Sequence, residues 1–358
     1  MAEVLLTVSG VVASDTAAQA AKGARPRADY LEMASAFGAD LVDYRAAQRS
    51  GGWFGRLLER VGGPDLMLAW ACFRLRRRYH VIFTDGEQIG LPLAWLCKFF
   101  GFGAKRPYHL MIVHILSVKK KMLFLDRFGV QSHIDRFLVY SSWQKQFIET
   151  RWKIASERVI FTPFMVDTSF FDIARVQANP GMKPMICSVG LEARDYPTLL
   201  QAVSGLDAQV IIAAASPWSK QIDSTDGQII PENVTVRRFS QFELRQLYED
   251  SRFIVMPLQN VEFQAGVTAI LEAMAMGRAV ICSRTPGQTD VVVDGETGLY
   301  VPPGDPQALR AAIEYLLDHP DEAERMGRAG RRRVEQGMSL DHYVERLRCL
   351  VDPTLAIA

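Results

Sequence analysis

The sequence predicts an α/β protein built from two doubly wound, mostly parallel sheets. Three observations lead there. Short β-branched runs alternate with longer amphipathic stretches, about eleven such runs occur, and a Pro- and Gly-bearing break divides them. Eleven strands are too many for one small sheet, and 358 residues suit two domains.

The first half offers strands at residues 4–8, 81–84, 110–113, 137–140 and 159–161. The second half offers 185–189, 210–214, 234–237, 253–256, 279–282 and 298–301. Most are continuous apolar runs, as strands covered on both faces require. Between them, residues 198–203, 243–249, 267–276 and 306–317 repeat apolar positions at helical spacing. The break spans 163–184, where Asn-Pro-Gly-Met-Lys-Pro reads as a linker before a fresh strand. The expected domains are therefore 1–165 and 166–338.

The chain start has a short apolar run and no basic flank, so it reads as a first strand and not as a signal peptide. The longest apolar runs, such as 66–73, are about eight residues, against roughly twenty for a membrane span. Cys72, Cys97, Cys187, Cys282 and Cys349 form no C-x-x-C and no zinc-like spacing. They read as lone thiols in a reducing, cytoplasmic setting. The formal net charge is +1, which argues against a dedicated nucleic-acid binder. That total conceals an asymmetry: residues 1–158 carry +9 and residues 159–358 carry −8.

Chemistry concentrates in Gln264-Ala-Gly-Val-Thr-Ala-Ile-Leu-Glu272-Ala-Met-Ala-Met-Gly277, followed by Thr285-Pro-Gly-Gln-Thr-Asp290 and Asp294-Gly-Glu-Thr-Gly298. A strand leads into a loop with Gly266, and a helix opens at Val267. Free N–H groups at a helix start can hold a phosphate, and glycine lets it approach. Glu272, one and a half turns on, can accept hydrogen bonds from a ribose diol.

Together these pieces resemble the signature of the retaining glycosyltransferases of family 4, which have the GT-B fold: two Rossmann-like domains facing across a cleft. The likeness runs over about forty residues. It implies that Glu272 binds the nucleotide ribose and that Gly266, Val267 and Thr268 hold the diphosphate. The first carboxylate of the family's E-x7-E falls on Gln264, which touches the donor sugar without charge; Glu262, two residues earlier, is a candidate substitute. Ser188-Val-Gly190-Leu-Glu-Ala-Arg194 resembles the family's glycine and basic-residue element, which implies Gly190 and Arg194 as diphosphate contacts. Here Arg194 is the one basic residue of that element; the other reading pairs it, solvated, with Asp195 or Glu192. The stretch through Phe239 and Ser240 resembles the part that cradles the base, with Ser240 as a helix N-cap and uridine as the default base.

In the first half His114 resembles the family's active-site histidine; a structural or surface histidine is the alternative. Gly10 sits in a first loop that implies a donor contact. Asp85 and Glu87 follow a strand end and read either as acceptor contacts or as a helix-capping turn. Residues 66–79 read either as an amphipathic helix on an anionic membrane or as a core helix with a solvated basic end.

The resemblance implies that 339–358 return to the first domain. No D-x-D occurs, so no metal and no cofactor is expected beyond the nucleotide-sugar co-substrate. The expected partners are that donor, a hydroxyl acceptor and an anionic membrane surface. The competing readings are a catalytically silent sugar-nucleotide binder, motivated by Gln264, and a GT-B epimerase or phosphorylase.

Overall fold

A computed structural model describes residues 3–101, 106–177, 184–214 and 227–351. The chain divides into two units. One comprises 1–19, 27–162 and 344–358, the other 20–26 and 163–343. The linker expected at 179–184 lies outside the described residues except for Pro184.

Unit 1 holds β1 (Val4–Thr7), β2 (Asp40–Val42), β3 (Val81–Thr84), β4 (Tyr108–Val113), β5 (Arg136–Val139) and β6 (Val159–Phe161). They form one parallel sheet in the order β2-β1-β3-β4-β5-β6. Strands β1 and β3 are buried throughout, as a sheet covered on both faces demands. β2 is the strand that the sequence pattern did not announce. It is three residues long, lies at the sheet edge and is buried only at Val42, so it offers too little pattern to read.

The helix Tyr44–Leu75 is broken twice by left-handed glycines, Gly52 at φ 67° and Gly63 at φ 83°. It is thus three pieces, 44–51, 53–62 and 64–75, the last starting at Pro64, where a missing N–H costs nothing. In the third piece Met67, Leu68, Ala69, Ala71, Cys72 and Phe73 are buried against Leu5, Ile82, Ile89 and Leu93. This overturns the reading of 66–79 as a membrane-lying helix. Its apolar face is part of the core, and what is exposed is its basic end, Arg74, Arg77 and Arg78.

Unit 2 holds β7 (Met185–Val189), β8 (Gln209–Ala213), β9 (Val234–Arg237), β10 (Phe253–Met256), β11 (Ala279–Ser283) and β12 (Gly298–Val301), again all parallel, in the order β12-β11-β10-β7-β8-β9. Side chains alternate between two cores. Met185, Cys187 and Ile211 face the helices Gln241–Asp250 and Val267–Ala275. Ile186, Val210 and Ile212 face Tyr196–Val203 and Pro306–Asp318.

Candidate functional site

Each sheet reverses its winding once. In unit 2 the chain runs from β7 outward to β8 and β9, crosses back to β10, and continues to β11 and β12. The loops leaving β7 and β10 therefore diverge at a switch point, the usual ligand crevice of such sheets. Arg194 and Gly266 sit on these two loops.

In the loop after β7, Gly190 has φ +103°, and a side-chain carbon there would lie 2.4 Å from Arg194 Nη2. Glycine is therefore what allows the guanidinium to lie against the backbone. Arg194 is buried. Its Nε donates to the Val189 carbonyl (2.9 Å) and its Nη1 to the Glu192 carbonyl (2.7 Å). Burial lowers its pKa below the usual value, yet a guanidinium stays charged. The solvated pairing with Asp195 or the Glu192 carboxylate is not the arrangement found. Asp195 instead caps the helix Tyr196–Val203, accepting from Thr198 N and Oγ1.

In the loop after β10, Gly266 caps the helix Val267–Ala275 at φ 75°, with no side-chain cap. A side-chain carbon at Gly266 would meet Met256 Sδ at 2.8 Å and Arg194 Nη1 at 3.3 Å. An uncapped helix start with a fixed cation beside it suits a diphosphate. Val267 is buried and Thr268 exposed.

Further along that helix, Glu272 is 7% exposed and accepts a hydrogen bond from the Tyr248 hydroxyl at 2.8 Å. Burial raises its pKa to about 7, against the lowering effect of that bond. A buried carboxylate with a single side-chain donor retains acceptor capacity for two vicinal hydroxyls.

Gln264 is 9% exposed, and neither its Nε2 nor its Oε1 has a hydrogen-bond partner among the described residues. Leaving a buried amide unpaired costs about 1–3 kcal/mol, which a ligand hydroxyl would recover. Glu262 is exposed. What holds this loop comes from residues that carry no local sequence signal. Gln288, fully buried, donates from Nε2 to the Ala265 carbonyl at 2.8 Å. Gly287 lies so close to Phe263 that a side-chain carbon would be 2.3 Å from its carbonyl carbon. Thr285 is also buried, with its hydroxyl unpaired.

At the end of β9, Arg237 stacks 4.1 Å over Phe239, which packs partly buried on the core. Ser240 caps the helix Gln241–Asp250 in a reciprocal box with Glu243, as expected.

In unit 1 the winding reverses between β1 and β3. Asp85, after β3, is engaged there by Thr7 Oγ1 and Ser9 N from the β1 end. Burial raises its pKa, opposed by those donors. Glu87 is 1% exposed and accepts from His114 N (2.8 Å), Ile115 N (3.0 Å) and Lys121 Nζ (2.5 Å). Burial works against its charge, but His114, Lys121 and the backbone donor outweigh it and lower its pKa. Both carboxylates thus brace the chain itself, and neither side chain caps the helix that follows.

Glu87 braces the loop bearing His114, and Asp85 the end of β1. The His114 ring is exposed, and its Nε2 donates to the Asp85 carbonyl at 2.9 Å. Its own carbonyl accepts from Gln144 Nε2. Gly10 donates to the Val8 carbonyl and accepts from Tyr44 N, and nothing lies within 4 Å of where its side chain would be.

Residues 170–333 match the family described as glycosyl transferases group 1. The chain carries a glycosyl transferases group 1 domain. The matched stretch contains every unit 2 residue discussed above. The D-rhamnosyltransferase WbpZ of Pseudomonas aeruginosa is 32% identical over 140 residues, 38% of this chain and 36% of that protein. The chain spans about a third to two fifths of the length of the first curated relatives it matches. Among solved structures, sucrose-phosphate synthase from Thermosynechococcus elongatus aligns over 99% of both chains with a TM-score of 0.70 at 16% identity. Anabaena HepE, in complex with UDP and glucose, aligns over 99% of both chains with a TM-score of 0.70 at 13% identity. At such identities the likeness establishes the fold, and that fold is GT-B.

Proposed function

We propose that this protein is a retaining glycosyltransferase that moves a sugar from a nucleoside diphosphate sugar to an acceptor hydroxyl. The observation that carries the proposal is the convergence of Arg194, the uncapped helix start at Gly266 and buried Glu272 at one switch point. Glu272 would take the ribose diol. Arg194 and the amides of Val267 and Thr268 would take the diphosphate, and the unpaired amide of Gln264 the sugar hydroxyls. Uridine is the default base, on the backbone near Phe239; the neighbour solved with UDP supports that choice.

In the reaction the anomeric C–O bond to the diphosphate breaks, and the acceptor oxygen bonds the same carbon on the same face. The acceptor proton passes to a phosphate oxygen. Arg194 and the helix amides would meet the leaving charge without a divalent ion. His114, exposed at the end of β4, is the unit 1 candidate for contact with the substrates.

A donor panel with lysate extracts as acceptors, read by product mass and anomeric configuration, tests this. Transfer with retention is expected, and an inverted anomer would refute the mechanism. Gln264 in place of a carboxylate favours one other reading, a sugar-nucleotide binder without transfer. Tight donor binding with no product across that panel would select it.

A further inference from the structure

A helix of a globular protein normally turns its apolar stripe inward. The middle helical piece of unit 1, residues 53–62, does the opposite. Trp53 is 73% exposed, Val61 80%, and Leu57 and Phe54 are also exposed. At 100° per residue these four share one arc of the helix. Gly55 lies on the far side, where a side-chain carbon would be 3.4 Å from Trp70 and 3.8 Å from Met67. The helix is thus seated on the body through Gly55 and the Phe54 ring, 4.9 Å from that of Trp70, with Trp53, Leu57 and Val61 aimed at solvent.

Charge surrounds that stripe. Arg56 and Arg60 flank it and are exposed. Behind it, Arg45, Gln48, Arg49, Arg56 and Glu59 line a shallow cavity of about 450 Å³. Residues 44–78 hold eight arginines against two carboxylates. Tryptophan with arginine around an apolar stripe is the make-up of a helix lying in a bilayer interface. A second copy of the chain is a poor occupant, since a two-fold contact through this face would bring the two arginine sets together.

We propose that the 53–62 helix docks unit 1 on an anionic lipid bilayer. Trp53, Leu57 and Val61 enter the interface while Arg45, Arg49, Arg56 and Arg60 meet lipid phosphates. This does not depend on the transfer activity proposed above.

The test is co-sedimentation of the intact protein with vesicles of phosphatidylcholine alone, or with about a third phosphatidylglycerol. Binding to the anionic vesicles is expected at low salt, weakened by high salt, and unchanged by inorganic phosphate at matched ionic strength. The W53S/L57S variant should lose about tenfold or more in binding, and R56Q/R60Q the preference for anionic lipid. Both should melt within about 2 °C of wild type, because the replaced side chains touch solvent. Absence of binding at low salt would overturn the proposal, as would wild-type binding by a folded W53S/L57S variant. So would an oligomer that W53S/L57S dissociates without any vesicle binding, which would make the face a contact between copies.

Discussion

The Tyr248 hydroxyl donates to Glu272 Oε2 across 2.8 Å, between helices that meet over one face of the unit 2 sheet. Among the described residues it is the one side-chain hydrogen bond to a carboxylate that burial has pushed to a pKa of about 7. Near neutrality the site therefore holds Glu272 in both protonation states.

Nucleotide-sugar affinity should consequently rise as pH climbs through about 7, because the ionised carboxylate is the better acceptor for a ribose diol. Calorimetry in two buffers of different ionisation enthalpy should report proton release on binding near that pH. Glu272→Gln should flatten the profile. It should also remove a stability penalty. With the folded pKa above the usual 4.5, the group's stabilisation is full below 4.5 and is lost as pH rises through 7. The apo variant should thus be more stable than wild type at pH 8, by about 2–3 kcal/mol, with no such gain at pH 4.

Arg194→Gln should separate diphosphate from base and ribose recognition. Losing a charge-assisted contact of this kind costs about 1.5–3 kcal/mol, so affinity for a nucleoside diphosphate should fall roughly tenfold to a hundredfold. Affinity for the nucleoside alone should change little. Titration of both ligands against the variant checks this, and an equal loss for both would remove Arg194 from the phosphate site.

Gln264→Ala should leave binding of the free nucleoside diphosphate unchanged and weaken the nucleotide sugar by about tenfold, the worth of one or two recovered hydrogen bonds. Gln264→Glu should alter which sugars are accepted. An unchanged donor profile in that variant would mean that the amide does not touch the sugar.

Glu87→Ala should destabilise unit 1 by about 1–3 kcal/mol, because it takes away the buried acceptor of half-buried Lys121 and of the His114 and Ile115 amides. The thermal midpoint should drop while nucleotide binding at Glu272 and Arg194 survives below it. A midpoint equal to wild type would show that the brace is dispensable.

Much of the fold was legible because parallel strands buried on both faces are written as unbroken apolar runs. Strands β3, β6, β7, β9, β10 and β12 fall on the residues read from sequence. β2 did not, since three residues at an edge carry no pattern. The helix at 66–79 was visible, but its role was not: a basic amphipathic helix looks alike whether its apolar face meets a core or a lipid. The bracing role of Glu87 was hidden for a related reason. A polar residue at a strand end is written the same way whether it faces a substrate or a neighbouring loop.

The sequence by itself determined the α/β class, the division into two sheets, and the loop–helix element bearing Gly266 and Glu272. These rest on local periodicity and on motifs within about forty residues. Only the tertiary structure decided that Tyr248 feeds Glu272, that Gln288 props the Ala265 carbonyl, and that Arg194 is buried beside the helix start at Gly266. It alone gave Asp85 and Glu87 their bracing partners and aimed the 53–62 helix outward. Each of these depends on residues distant in sequence meeting in space, and burial, the quantity that sets their charge and partners, exists only once the chain has packed.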